Sequence, residues 1–306
     1  MKHEIMIGTW AWGSGYNGSR MVFGKKYNET VLAETFEKAV SLGFTQWDTA
    51  AVYGMGSCEK LLGKLMQGKD EIFLSTKYFP ETKFKSGALK SSFTQSMQRL
   101  ERKYADLFWI HKPNHLSENL TEAIPLLKDG RIRSIGISNV SMTNIHEAEE
   151  LLAKEGLKLG AVQNHFSLLR NDQQPIIDYC NSMGIRYYAY MVLEQGALSG
   201  KYDAKHPFPV LSMRGFAFPK SKFRKIEGLL AMLREIADNH HIDPSQVPIL
   251  WAIGKGAIPI VGLTKPTHAQ QLAAAMEVTL MPEEIERLTV EAGKTGIRQQ
   301  GMWEPQ

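Results

Sequence analysis

FTQWDTA at 44–50, EIFLSTK at 71–77 and ADLFWIH at 105–111 are short runs rich in apolar, aromatic and β-branched residues. Each brings a polar group to its end: Asp48, Lys77 and His111. Between them, over about 57–67 and 86–103, apolar residues recur at helical spacing. The alternation extends both ways along the chain. Upstream lies EIMIGTW (4–10); downstream lie IRSIGIS (132–138), LGAVQNH (159–165), IRYYAYM (185–191) and GAIPIVGL (256–263). Further helices are expected over 29–42, 118–129, 141–155, 171–183, 222–240 and 267–276, and one more over 282–293 that opens on Pro282.

Local signals agree with this pattern. Gly43, Gly130, Gly156 and Gly184 each stand between a helical stretch and a strand-like one, where a left-handed helix end is wanted. Ser141 and Asp172 stand where an N-cap is wanted. Strands alternating with helices imply parallel strands covered by helices. Eight such units point to an α/β fold of the closed (β/α)8 TIM-barrel type, one domain over 1–306; an open doubly wound sheet is the alternative. In such a barrel the site lies at the C-terminal strand ends.

Composition narrows the function classes. The 306 residues are 43% hydrophobic and 22% charged, as expected of a globular chain with a large core. Net charge is +4 with no basic run, so no nucleic-acid role is expected. The N-terminal apolar stretch is broken by Glu4 and is not expected to act as a signal peptide. No stretch is apolar enough to span a membrane, so no membrane partner is expected. Two cysteines, Cys58 and Cys180, suit reduced thiols and a cytoplasmic location.

Three motifs fall short of their templates. GMGSCEK (54–60) lacks the third glycine of a dinucleotide loop and reads as a turn with Ser57 capping a helix. GALSGKY (196–202) has one residue too few between its glycines for a phosphate loop and ends on Tyr202 instead of Ser or Thr. His111 and His115 have zinc-ligand spacing, but Pro113 between them breaks the helix that spacing needs, so no metal site is expected. His240 and His241 point apart on any helix and are expected to be solvated.

Asp48, Tyr53, Lys77 and His111 form a proton-transfer set. Sequential barrel strands are neighbours, so the four groups converge. An ammonium beside a phenol favours the phenolate and lowers its pKa. Asp48 would hold Lys77, and His111 would donate to the same substrate oxygen that Tyr53 protonates.

GTWAWG (8–13), DTAAVYG (48–54) with CEKLLGK (58–64), STK (75–77), DLFWIHKP (106–113), GRIRSIGISN (130–139), AVQNHFSLL (161–169) and QGALSGKY (195–202), in that order and spacing, resemble the aldo-keto reductase superfamily. The resemblance implies a (β/α)8 barrel that binds NADPH or NADH in an extended pose and reduces a small-molecule carbonyl. It implies catalytic roles for Asp48, Tyr53, Lys77 and His111. Ser138, Asn139 and Gln163 would hold the carboxamide, and Tyr190 would stack on the nicotinamide. Gln195, Gly196, Leu198, Gly200 and Lys201 would run beside the pyrophosphate. Gly262, Thr264, Lys265, His268 and Gln271 would face the adenine end. Trp10, Trp12, Tyr78, Phe79 and Met191 would line the substrate pocket.

The chain departs from the family at three places. Tyr190-Met191-Val192-Leu193 stands for the usual YSPL, Thr264 stands for an arginine, and Gln271-Leu272 stands for Glu-Asn. NADP(H) is favoured, through Lys265 and His268, with NAD(H) as the alternative. The stretches 14–28 and 203–221 are candidate covers for cofactor or substrate. A cofactor-binding sensor resembling potassium-channel β subunits is the rival to the enzyme. The oligomeric state is not legible.

Overall fold

The computed structural model describes residues 3–300. β1 (Met6–Gly8) leads through a short helix, α1 (Ser19–Phe23), to α2 (Glu29–Ser41). Then follow β2 (Gln46–Asp48), α3 (Ser57–Leu65), β3 (Phe73–Tyr78), α4 (Ala88–Leu100), β4 (Leu107–Ile110), α5 (Leu116–Lys128), β5 (Ile135–Ser138) and α6 (Met142–Ala153). β6 (Ala161–His165), α7 (Gln174–Met183) and β7 (Arg186–Tyr190) continue the alternation. α8 (Met213–Ala217), α9 (Lys220–Lys225), α10 (Glu227–His240) and α11 (Val247–Gly254) precede β8 (Ile258–Gly262), and α12 (Pro266–Ala275) and α13 (Pro282–Lys294) end the order. The strands pair in parallel in sequence order, and β8 closes on β1 through Met6 with Ile260 and Ile7 with Val261. This is the closed barrel expected from the eight runs.

Two layers of side chains follow from strand alternation. Outward residues such as Ile7, Trp47, Phe108 and Ile137 pack under the helices. Met6, Leu107, Trp109, Ala161 and Tyr188 fill the barrel interior. Trp109 fits there because its β5 neighbour is Gly136, where a Cβ would lie 2.3 Å from the indole.

Gly43, Gly130, Gly156 and Gly184 are all left-handed, with φ of 87°, 71°, 70° and 70°. Ser141 caps α6 in a capping box with Asn144, and Pro282 opens α13. Other local expectations need correction. Gln173, not Asp172, occupies the N-cap of α7; Asp172 instead pairs with Arg170 and Arg298. Ser57 is the first residue of α3 and does not cap it: its Oγ accepts from Ser14 N at 2.9 Å and so ties down the loop after β1. The helix expected over 222–240 breaks at Ile226 into α9 and α10. α11 was not anticipated, because its sequence VPILWAIG is apolar all round and shows no period. His240 is held by Glu284 at 2.9 Å and is not simply solvated.

Candidate active site

β2 and β3 bring two buried charges together. Asp48 ends β2, and Lys77 lies on the inner face of β3 beside it. Their side chains are in direct contact, with exposures of 3% and 0%. Lys77 Nζ also donates to Thr49 O at 2.9 Å, and Asp48 Oδ1 accepts from Ser75 Oγ at 2.7 Å. Ser75 Oγ in turn accepts from Trp109 Nε1 at 2.6 Å. The barrel's interior layer thus fixes the carboxylate from below. Burial pushes Asp48 up and Lys77 down, and their mutual attraction opposes both shifts.

Tyr53 stands above this pair. The chain turns sharply after it, with Gly54 at φ 54°, where a Cβ would lie 2.2 Å from Ser57 Oγ and 2.7 Å from Ser14 O. Lys77 Nζ lies 5.3 Å from the centroid of the Tyr53 ring. His111, just past β4, meets Tyr53 edge-on at 6.0 Å between centroids. Its backbone N–H donates to Tyr78 O, continuing the ladder. The four predicted groups therefore do converge. The expected lowering of the phenol pKa is not found: burial drives Tyr53 well above 10.0, and the Asp48 charge adds to the rise. His111 is held well below 6.5, first by burial and then by the charges of Lys77 and Lys112. Its imidazole is therefore neutral at physiological pH. His111 Nδ1 is buried with no hydrogen-bond partner among the described residues.

Aromatic side chains wall one side of this group. Trp10 stacks on Tyr53 at 6.0 Å and meets Phe23 edge-on at 5.4 Å, and Phe79 meets His111 at 5.5 Å. Met191 begins the turn after Tyr190 in a left-handed conformation, φ 62°. Two expected pocket residues lie elsewhere. Trp12 is buried against Trp47 and donates to Leu263 O at 2.7 Å, which commits it to packing. Tyr78 alternates away from Lys77 into the outer layer, where burial and the charges of Glu122 and Glu81 raise its phenol.

β5, β6 and β7 bring the next group to the rim. Ser138 Oγ donates to Gln163 O at 2.8 Å, Asn139 Nδ2 to His111 O at 2.9 Å, and Tyr190 OH to Asn139 Oδ1 at 2.5 Å. Asn139 takes φ 61°, a conformation that asparagine tolerates better than most residues. Gln163 is 3% exposed, and its Nε2 has no partner among the described residues. A buried amide donor without a partner is costly unless a ligand receives it. Gln163 thus fits the carboxamide role that the resemblance implies.

Beyond Tyr190 the backbone is strained, with Glu194 at φ 47° and Gln195 at φ 54°. Gly196 has open space, the nearest atoms to a Cβ being Arg214 Nη1 and Tyr202 Cε2 at 4.0 Å. Arg214, on α8, donates to Gln195 O at 3.4 Å and to Phe23 O at 3.1 Å, and its Nε is buried with no partner among the described residues. The stretches 14–28 and 203–221 are therefore joined beside this turn by a cation absent from the sequence-based site. Phe208 and Phe218 pack with Phe223 in the core, while Phe216 is exposed. Leu198 is fully buried in the core. Gly200, φ 72°, lies against Pro244.

At the end of β8, Gly262 lies beside Gly8, and Thr264 and Lys265 lead into α12, which carries His268 and the exposed Gln271. His268 is held below 6.5, first by burial and then by Lys265, with Lys201 and Lys25 adding to the effect and Asp243 opposing it. Lys25 was not among the expected cofactor residues. Among the described residues, no helix is long and apolar enough to cross a membrane.

The closed parallel barrel thus gathers an ionic pair, a phenol and an imidazole at the C-terminal ends of its strands. The sequence profile of the aldo/keto reductase family matches residues 4–290, and the chain belongs to that family of oxidoreductases. It is 30% identical over 293 residues to an uncharacterized oxidoreductase of Mycobacterium tuberculosis, covering 94% of this chain and 88% of that one. It is also 30% identical over 305 residues to the chloroplastic pyridoxal reductase of Arabidopsis thaliana, covering 91% and 80%. Among solved structures, an aldo/keto reductase of Klebsiella pneumoniae in complex with NADP and acetate superposes with a TM-score of 0.71. It is 21% identical and covers 99% of this chain and 94% of that one.

Proposed function

We propose that the protein is an NAD(P)H-dependent carbonyl reductase that uses Tyr53 as its acid. The observation that carries this is the convergence of Tyr53, His111 and the buried Lys77–Asp48 pair beside Gln163, whose amide donor lacks a partner. When bound, the nicotinamide supplies the hydride. Tyr53 passes its proton to the carbonyl oxygen as negative charge develops there. Burial keeps the phenol protonated until that charge appears, because an alkoxide is a much stronger base than a phenolate. Lys77 stabilises the phenolate left behind, and Asp48 keeps the ammonium in place. Neutral His111 orients the carbonyl oxygen through a ring nitrogen. Trp10, Phe23 and Phe79 shape an apolar wall suited to an aldehyde or ketone with an aromatic or aliphatic body.

Ser138, Asn139, Gln163 and Tyr190 would hold the nicotinamide end. Arg214 and the 195–201 turn would hold the pyrophosphate, with Lys25, Lys201, Lys265 and His268 at the adenosine phosphate. The lysine charges acting on one half-buried histidine support NADP(H) over NAD(H). So does the NADP bound to the Klebsiella relative. Fluorescence titration with NADPH and NADH, followed by an aldehyde and ketone panel read at the nicotinamide absorbance, tests the proposal. Binding of neither nucleotide would overturn it.

A further inference from the structure

Behind the Tyr190 ring lies a buried polar cluster that the chemistry above does not use. His165, the last residue of β6, stacks on Tyr190 with centroids 5.5 Å apart and planes 27° apart. Its Nε2 lies 2.6 Å from Glu194 Oε1, and the two side chains are 1% and 0% exposed. Ser167 Oγ donates to the same oxygen at 2.5 Å, and Leu169 N donates to Ser167 Oγ at 3.1 Å. Glu194 Oε2 has no hydrogen-bond partner among the described residues.

Such a cluster is an expensive way to fill space. A buried polar pair rarely outperforms apolar packing of the same volume, and a carboxylate oxygen without a hydrogen-bond partner adds to the cost. Its position suggests what it does. Glu194 belongs to the left-handed turn that carries Gln195 and Gly196, with φ 47° at Glu194 itself. His165 belongs to the ring stack that carries Tyr190, and the Tyr190 hydroxyl donates to Asn139, which donates to His111 O. The charge of Glu194 is also felt by Lys222 of α9, where it opposes the lowering that burial causes. One contact therefore joins the turn proposed for the pyrophosphate to the ring proposed for the nicotinamide.

We propose that His165 and Glu194 are positioning residues that lock Tyr190 and the 191–196 turn into one cofactor platform. The inference rests on the nicotinamide reading above. It requires the two residues to act through one contact, so their effects on cofactor binding are coupled.

The test is a double-mutant cycle with Glu194→Gln, His165→Gln and the double variant. Dissociation constants for NADPH and NADH are measured by protein fluorescence, and unfolding midpoints by circular dichroism without nucleotide. Glutamine keeps the approximate length at both positions but removes the carboxylate charge of Glu194 and the His165 ring that stacks on Tyr190. The expected result is that each single variant binds its nucleotide about tenfold more weakly. The double variant should be no weaker than the worse single one, since residues that share one contact are not additive. The emission band of bound NADPH should shift in all three, which a loss of stability alone would not produce. Wild-type affinity in both single variants overturns the inference, as do additive losses. Losses that follow the unfolding midpoint with an unmoved emission band also overturn it. A wild-type chain that binds neither nucleotide removes the nicotinamide reading and this inference together, whereas a wild type that binds and variants that bind equally well remove only the latter.

Discussion

Lys77→Met is the most informative single change to the proton-transfer group. The ammonium lies 5.3 Å from the Tyr53 ring centroid. At that distance and an effective dielectric near 20, a unit charge stabilises a phenolate by about 3 kcal/mol. Loss of that term should slow proton transfer by about 10²-fold. The variant also strands Asp48 with no partner cation in a site that is 2% exposed. Removing one partner of a buried pair typically costs about 3–5 kcal/mol of stability. The double variant Asp48→Asn/Lys77→Met separates the two effects. It removes both charges, so the melting temperature should recover while the rate does not. Single-turnover oxidation of NADPH at saturating aldehyde, followed across pH, measures the rate; a thermal melt measures stability. If the double variant recovers both stability and rate, Lys77 does not act on Tyr53.

Three further outcomes are expected. Tyr53→Phe should lower turnover about 10²–10⁴-fold with cofactor binding intact, because the transferable proton is gone while the ring remains; retention of a tenth of wild-type turnover, with chemistry rate-limiting, excludes Tyr53 as the acid. Lys265→Ala should weaken NADPH binding more than NADH binding, by about 1 kcal/mol at most because the exposed ammonium is screened by solvent; equal losses in two titrations would show that Lys265 does not read the 2′-phosphate. His111 is held well below 6.5 in the folded chain, so below about 6.5 the unfolded chain binds a proton that the native state refuses. Stability should therefore fall as pH drops through and below that value, by at most about 1.4 kcal/mol per pH unit from this group; an acid-stability slope unchanged in His111→Asn would contradict the shift.

The strand ends were legible because each apolar run closes on a polar residue, and closure of the barrel places those ends side by side. That pattern alone singles out Asp48, Lys77 and His111 as candidates, and the barrel places them together. Ser75 was within reach of the same logic, since it lies two residues before Lys77 on the same face of β3. Period two also argues against Tyr78 as a pocket residue, because it neighbours an inward lysine. Trp12 gave no such warning: its fate depends on Trp47 of β2 and on a carbonyl 251 residues away. α11 was hidden because a helix covered on all sides has no polar face to set its period. The phenol shift had the wrong sign for a related reason. A neighbouring ammonium is visible in a linear pattern, but the extent of burial is not, and here burial dominates.

The rim proposed for the adenosine shows how a charge missing from one segment can be supplied by others. Thr264 stands where the resemblance expects an arginine, so the segment after β8 keeps Lys265 as its nearest cation. Lys201 comes from the chain after β7 and Lys25 from the chain after β1, yet both act on the same histidine as Lys265. In a closed barrel β1 and β8 are adjacent, so residues 240 positions apart share one rim. Arg214 makes a similar connection beside the turn proposed for the pyrophosphate, tying the 203–221 stretch that carries it to Phe23 O of the 14–28 stretch and to Gln195 O. Ammonium groups are point charges without the planar fork of arginine. A phosphate held by several of them is recognised by charge more than by geometry, and exposed charges are screened by salt. Discrimination between the two nicotinamide nucleotides should then be modest and should weaken as ionic strength rises, whereas the apolar and hydrogen-bonded nicotinamide end should respond far less.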